Sequence, residues 1–171
     1  MNLRPAPLRT ILTLSADSLL YAIYLLAMHP LVQEELYNET HRVHGNKTPT
    51  FEKIPDQIYA LCVMYETIRL FPFIGSLPQL SGEDQMLLGK YKIFKGTSIS
   101  LDWINLQRNE KYWGETVDHF IPSRFDNRNN SDESGYTIMD GKIKCPAKGT
   151  FIAFSDGIRA CAGKDLLLVS C

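Results

Sequence analysis

The chain has four cysteines, Cys62, Cys145, Cys161 and Cys171, and no two stand in a CxxC pair. No Cys/His cluster has zinc-finger spacing, which argues against a structural zinc site of that kind. Four cysteines in 171 residues are too sparse for a disulfide framework, so they read as reduced thiols. An excess of charge is also lacking. Lys and Arg number 18 against 19 Asp and Glu, a net charge of −1. Nothing in that balance draws the chain to nucleic acid. Internal repeats are absent. The remainder is ordinary for a globular protein, 44% hydrophobic and 22% charged, at a length that supports one domain with a real core.

The N-terminus is short and basic, and an apolar run follows from Ile11 to Met28, broken by Ser15, Asp17 and Ser18. A signal peptide or membrane anchor would look similar. Asp17 sits mid-run, where an ionised side chain is costly in hydrocarbon, and no small-residue cleavage site follows. The run therefore reads as a buried core helix over about 18–28, capped by Asp17 or Ser18. Pro30 opens an amphipathic helix over about 30–43, which Gly45 to Pro49 breaks. A third helix is expected over about 56–70, ended by Phe71-Pro72. Beyond it, Gly and Pro punctuate short apolar runs, so short strands or a hairpin are expected over about 86–101. Ile104 to Gln107 reads as one helical turn. Residues 125–150 read as a surface loop, rich in Asn, Asp, Ser and Gly. The fold class is mainly α with short β hairpins (α+β), in one domain over 1–171.

Two constellations carry chemistry. In Phe154-Ser155-Asp156-Gly157-Ile158-Arg159-Ala160-Cys161-Ala162-Gly163 a lone cysteine stands in a loop punctuated by glycines. Gly157 permits a tight bend, and Gly163 lets the chain pass close to a flat ligand. Arg159 puts a fixed charge near the sulfur, where it lowers the thiol pKa or binds an acidic group. Upstream, Glu66 and Arg69 are three apart in the third helix and share a face. Taken alone, such a pair is most often a solvated surface contact.

The loop pattern Phe-x-x-Gly-x-Arg-x-Cys-x-Gly resembles the haem-binding loop of the cytochrome P450 family. Glu66-Thr67-Ile68-Arg69 followed by Leu70-Phe71-Pro72 is similar to that family's Glu-x-x-Arg helix end. Pro122-Ser123-Arg124-Phe125 resembles its Pro-x-Arg-Phe segment. Phe94 to Thr97, Arg108 to Gly114 and Leu19 to Pro30 look like further family segments in the family's order. The resemblance runs from about residue 18 to 167.

It implies a partial P450 fold, the haem-side C-terminal part, truncated at both ends. It implies that Cys161 is the axial thiolate ligand of haem b iron and the catalytic cysteine. Phe154 would shield the sulfur, Arg159 would pair with a haem propionate, and Gly157 and Gly163 would shape the loop. Glu66, Arg69 and Arg124 would form a buried network that holds the loop. The implied activity inserts one atom of dioxygen into a small apolar substrate, with electrons from NADPH-cytochrome P450 reductase or another donor. The implied location is the cytoplasmic face of the endoplasmic reticulum membrane, although no clear anchor is visible. The chain also departs from the family. Thr10 to Ser15 holds no acid–Thr pair where the family has Ala-Gly-x-Asp/Glu-Thr, and Gln79 stands where many members carry a propionate-binding arginine. These departures keep open an alternative, a non-catalytic truncated remnant or pseudogene product that at most binds haem.

Overall fold

A computed structural model describes residues 8–128, 135–138 and 142–170. Six helices carry the architecture: α1 (Leu8–Met28), α2 (Pro30–His44), α3 (Ile58–Leu70), α4 (Trp103–Gln107), α5 (Glu110–Trp113) and α6 (Lys164–Ser170). Three two-stranded antiparallel ladders complete it. β1 (Gln79–Leu80) pairs with β4 (Ser98–Ile99), β2 (Gln85–Leu87) with β3 (Tyr91–Ile93), and β5 (Tyr136–Ile138) with β6 (Ile143–Cys145). The fold is thus mainly α with small sheets, consistent with a partial P450 fold.

The centre is α3. Its sequence is apolar on nearly every face, and all its residues except Ala60 are buried or nearly so. A helix apolar all round is a core helix. On one side Leu61, Cys62, Met64, Tyr65 and Ile68 meet Phe125, Ile143, Phe154, Leu167 and Leu168. On the other, Tyr59, Val63 and Leu70 meet Leu25 and Phe120. Helices α1 and α2 pack against α3, and so does the 3-10 turn Pro122–Phe125.

Three expectations need correction. First, α1 begins at Leu8, and Ser18 is no cap: its hydroxyl donates to Leu14 O at 2.9 Å within the helix. Second, α1 is not a buried core helix. Ser18, Ala22 and Leu25 form a narrow stripe toward α3, while Leu20, Ile23 and Tyr24 face outward. Their spacing of four and three is one helix face, and the rest of the circumference is apolar without being covered. Third, residues 125–150 are not one loop. They hold the β5–β6 hairpin, in register Tyr136↔Cys145 and Ile138↔Ile143. Ile143 and Cys145 point into the core and Lys144 does not, a period of two too short to stand out among Asn and Gly.

The β2–β3 hairpin turns at Leu88–Gly89, with φ of 53° and 67°. Positive φ at both central residues is what a tight hairpin of this twist needs. Helix α4 starts at Asp102, whose carboxylate accepts the Asn105 N–H at 3.0 Å. Among the described residues no single helix is long and apolar enough to cross a membrane.

Candidate functional site

The loop carrying Cys161 is built on a buried aromatic base. Phe154 is buried, and its ring lies 6.2 Å from that of Tyr65 and 6.1 Å from that of Phe73. The backbone then turns sharply. Ser155 and Gly157 take φ of 59° and 73°, the left-handed region. The Asp156 carboxylate accepts the Gly157 N–H at 2.7 Å, and residues Gly157–Arg159 form one 3-10 turn. Nothing would lie within 4 Å of a Cβ on Gly157, so its backbone angle, not space, asks for glycine there. The Cys161 N–H donates to Phe154 O at 2.8 Å and closes the loop. Gly163 follows in the turn leading to α6, which Leu167 and Leu168 fix in the core.

This geometry leaves Cys161 exposed, whereas Cys62 and Cys145 are buried. Burial pushes the Cys62 and Cys145 thiols upward, which keeps them neutral and inert. Beside the loop lies a cleft of about 280 Å³ whose apolar lining comes from Leu77, Leu80, Ile99, Leu101 and Trp103. Ser155 and Gln79 border the same cleft. The backbone of Arg159 belongs to the 3-10 turn, while its side chain lies outside the described residues.

Behind the loop the structure brings Glu66, Arg69 and Arg124 together. Glu66 and Arg69 are fully buried. Arg69 grips the carboxylate with both arms, Nε on Oε2 at 2.6 Å and Nη2 on Oε1 at 2.8 Å. Arg124 reaches Oε1 from the 3-10 turn with its Nε at 3.1 Å, and the Ile121 N–H adds a bond at 3.0 Å. Remaining guanidinium donors go to carbonyls. Arg69 bonds Gln107 O at 3.0 Å and His119 O at 3.3 Å, and its guanidinium sits 5.0 Å from the centre of the Trp113 ring. Arg124 bonds Trp113 O at 3.2 Å and Thr116 O at 2.7 Å. A two-armed Arg–carboxylate pair with every guanidinium nitrogen hydrogen-bonded is the geometry that makes a buried charge tolerable.

Phe125 couples the network to the loop. It is fully buried, and its ring lies 5.6 Å from Tyr65, 5.3 Å from Phe151 and 5.5 Å from Trp113. Tyr65 in turn touches Phe154. Sequence reasoning passed over Tyr65, Phe73 and Phe151, because aromatic residues on a core helix and in loops read as packing. It also passed over Glu39, which is buried on α2 although its neighbours along the helix are polar. No local pattern marks it.

Comparison with known proteins identifies the class. The cytochrome P450 family model matches residues 13–167. Cytochrome P450 CYP13A3 of Caenorhabditis elegans is 31% identical over 152 residues, 89% of this chain and 27% of its own length. Cytochrome P450 3A13 of Mus musculus is 31% identical over 157 residues, 91% of this chain and 28% of its own. Secologanin synthase 2 of Catharanthus roseus is 31% identical over 152 residues, 88% and 26% respectively. The chain belongs to the cytochrome P450 family. It spans about a quarter of the length of these relatives.

Proposed function

We propose that this chain supplies the haem-thiolate portion of a monooxygenase acting on a small apolar substrate. One observation carries the reading: an exposed Cys161 stands on a loop closed by a backbone hydrogen bond, and Phe154 of that loop packs on Tyr65 of α3, the helix that also carries the Glu66–Arg69–Arg124 network. The donor set fits haem. Among the described residues no three His, Cys, Asp or Glu side chains gather as a metal-binding set. A lone thiolate suits an iron whose remaining donors would come from a macrocycle. The largely apolar cleft that Ser155 borders suits an apolar ligand.

In this reading Cys161 would hold the haem iron through its sulfur, and Gly157 and Gly163 would give the loop its turn and its close approach. Phe154 would shield the sulfur from water, and Arg159 would pair with a propionate. Bound haem b would supply dioxygen activation, helped by electron release from the thiolate. Electrons come from NADPH-cytochrome P450 reductase or an equivalent donor. The cytoplasmic face of the endoplasmic reticulum is the proposed location. A second reading follows from Thr10 to Ser15, which holds no acid–Thr pair to deliver protons. On that reading the chain at most binds haem and does not activate dioxygen.

The test is the reduced, carbon monoxide-bound spectrum of the chain with added haem, with Cys161→Ser as control. A red-shifted Soret band that the substitution abolishes is the expected result. No band, or one unchanged by the substitution, defeats the haem-thiolate reading. Oxidation of substrate driven by NADPH and reductase then separates the enzyme from a chain that only binds haem.

A further inference from the structure

A second buried carboxylate lies at the N-terminal end of α3. Glu39 of α2 is 4% exposed. Its Oε2 accepts the N–H groups of Tyr59 at 2.7 Å and Ala60 at 3.1 Å, both in the first turn of α3. Those donors have no partner within their own helix, so α2 caps α3 through this side chain. The other oxygen, Oε1, accepts from Arg128 Nη1 at 2.8 Å, and Arg42 Nη2 lies 3.6 Å from it. Arg128 is itself held. Its Nη2 donates to Asp126 Oδ2 at 2.7 Å and its Nε to Oδ1 at 3.0 Å. The Asp126 backbone bridges to Ile143 of β6.

Arg128 is four residues beyond Arg124, at most roughly 14 Å along an extended chain. The segment 124–128 is therefore pinned at both ends, each time by an arginine on a buried carboxylate: Arg124 on Glu66 of α3 and Arg128 on Glu39 of α2. Phe125 lies between the two pins. Arg124 holds the start of the segment, Phe125 and the Asp126–Ile143 bridge its middle, and Arg128 its far end. Two pins fix its direction as well as its position.

We propose that Glu39 and Arg128 are positioning residues for the Cys161 loop. The pair sets the direction of residues 124–128, which places Arg124 on Glu66 and seats Phe125 against Tyr65 and Phe151. Tyr65 then supports Phe154, the residue whose carbonyl closes the loop onto Cys161. The proposal rests on the haem-thiolate reading for its consequence, while its geometric part stands apart from it.

The experiment compares Arg128→Gln and Arg128→Lys in the full 171-residue chain. Hydrogen exchange at the Arg124 Nε–H is followed by nitrogen-15 NMR without haem, and the carbon monoxide spectrum is taken with haem. Arg128→Gln is expected to speed Arg124 Nε–H exchange tenfold or more. Arg128→Lys keeps a cation on Glu39 and is expected to stay within threefold. With haem, Arg128→Gln lowers the thiolate share of the Soret band and Arg128→Lys restores it. The proposal is overturned if Arg124 Nε–H exchange in Arg128→Gln rises no more than that of the α3 backbone amides, because Arg128 then contributes only general stability. If Arg128→Gln does not fold, Glu39→Asp withdraws the carboxylate by one methylene and is read by the same criterion. A wild-type chain without a thiolate band, in which Arg128→Gln still frees Arg124, defeats the haem reading and leaves the anchor standing. A thiolate band with unmoved exchange defeats the anchor.

Discussion

Replacing Glu66 by glutamine tests the buried network most directly. The carboxylate accepts four hydrogen bonds, two from Arg69, one from Arg124 and one from the Ile121 N–H. Glutamine keeps the shape but offers one acceptor oxygen, and its NH2 group turns two protons toward a guanidinium. Two arginines lose their counter-charge, and Arg69 is fully buried. Breaking a buried pair by removing one partner costs about 3–5 kcal/mol, because an uncompensated charge stays behind. Whole-domain stability is about 5–15 kcal/mol, so the loss is a large fraction of it. At roughly 2–4 °C per kcal/mol for a chain of this size, the melting temperature should fall by about 6–20 °C. The assay is urea and thermal unfolding followed by far-ultraviolet circular dichroism. Asp118→Asn is the control, since the Arg108–Asp118 contact at 3.4 Å is solvent-exposed and should change stability by less than about 0.5 kcal/mol. A loss below about 1 kcal/mol for Glu66→Gln would refute the claim that the charge is buried and shared.

Other perturbations follow from the same structure. Alkaline pH should weaken the fold. Burial raises the thiol pKa of Cys62, so the native state holds its proton while the unfolded state releases it. Stability from this group is complete below the unfolded value of about 8.5 and declines as pH rises above it. Unfolding midpoints should therefore fall with pH above about 8.5, and less steeply in Cys62→Ala; equal slopes would count against the assignment. Gly157→Ala should cost about 1–2 kcal/mol through its φ of 73° alone, with no clash to add. A neutral result in the melt would mean that the loop turns another way. Leu20→Glu with Ile23→Lys, on the open face of α1, should raise solubility without lowering the unfolding midpoint. A lower midpoint would show that this face is packed after all.

Much of the site was legible because it is written in local spacing. Glu66 and Arg69 are three apart on a helix, and the Cys161 loop is ten consecutive residues. The pairing of Arg124 with Glu66 is 58 residues long-range, and only the family resemblance pointed to it. Nothing announced Glu39 or Arg128. Their partners lie 20 and 89 residues from Glu39, and both sit in stretches whose polarity reads as solvent-facing. The hydrophobic run of α1 misled in the other direction. An apolar sequence shows what a helix is able to bury, not what is present to cover it. The β5–β6 hairpin escaped notice because three-residue strands give a period of two almost no room to repeat.

The charged network also explains how a poorly structured segment holds its shape. Between α4 and the 3-10 turn at Pro122, regular structure amounts to the four residues of α5. Carbonyls in this stretch and at its two short helix ends cannot rely on a ladder or a long helix for donors. Arg69 supplies donors to Gln107 O and His119 O, and Arg124 supplies them to Trp113 O and Thr116 O. Arginine is suited to this, since its planar fork presents five N–H groups in fixed directions and never loses its charge. Glu66 then holds both forks in place. A well-packed apolar substitute for the three residues could match their stability, as buried ion pairs often contribute little net free energy. It could not satisfy the carbonyls of Gln107 and Trp113 at two helix ends, or those of Thr116 and His119 in the turns that follow. On this argument the network is needed less for its charge–charge attraction than for its hydrogen-bond donors. Lysine at position 69, with the charge kept and the fork lost, should therefore fail almost as badly as an uncharged residue.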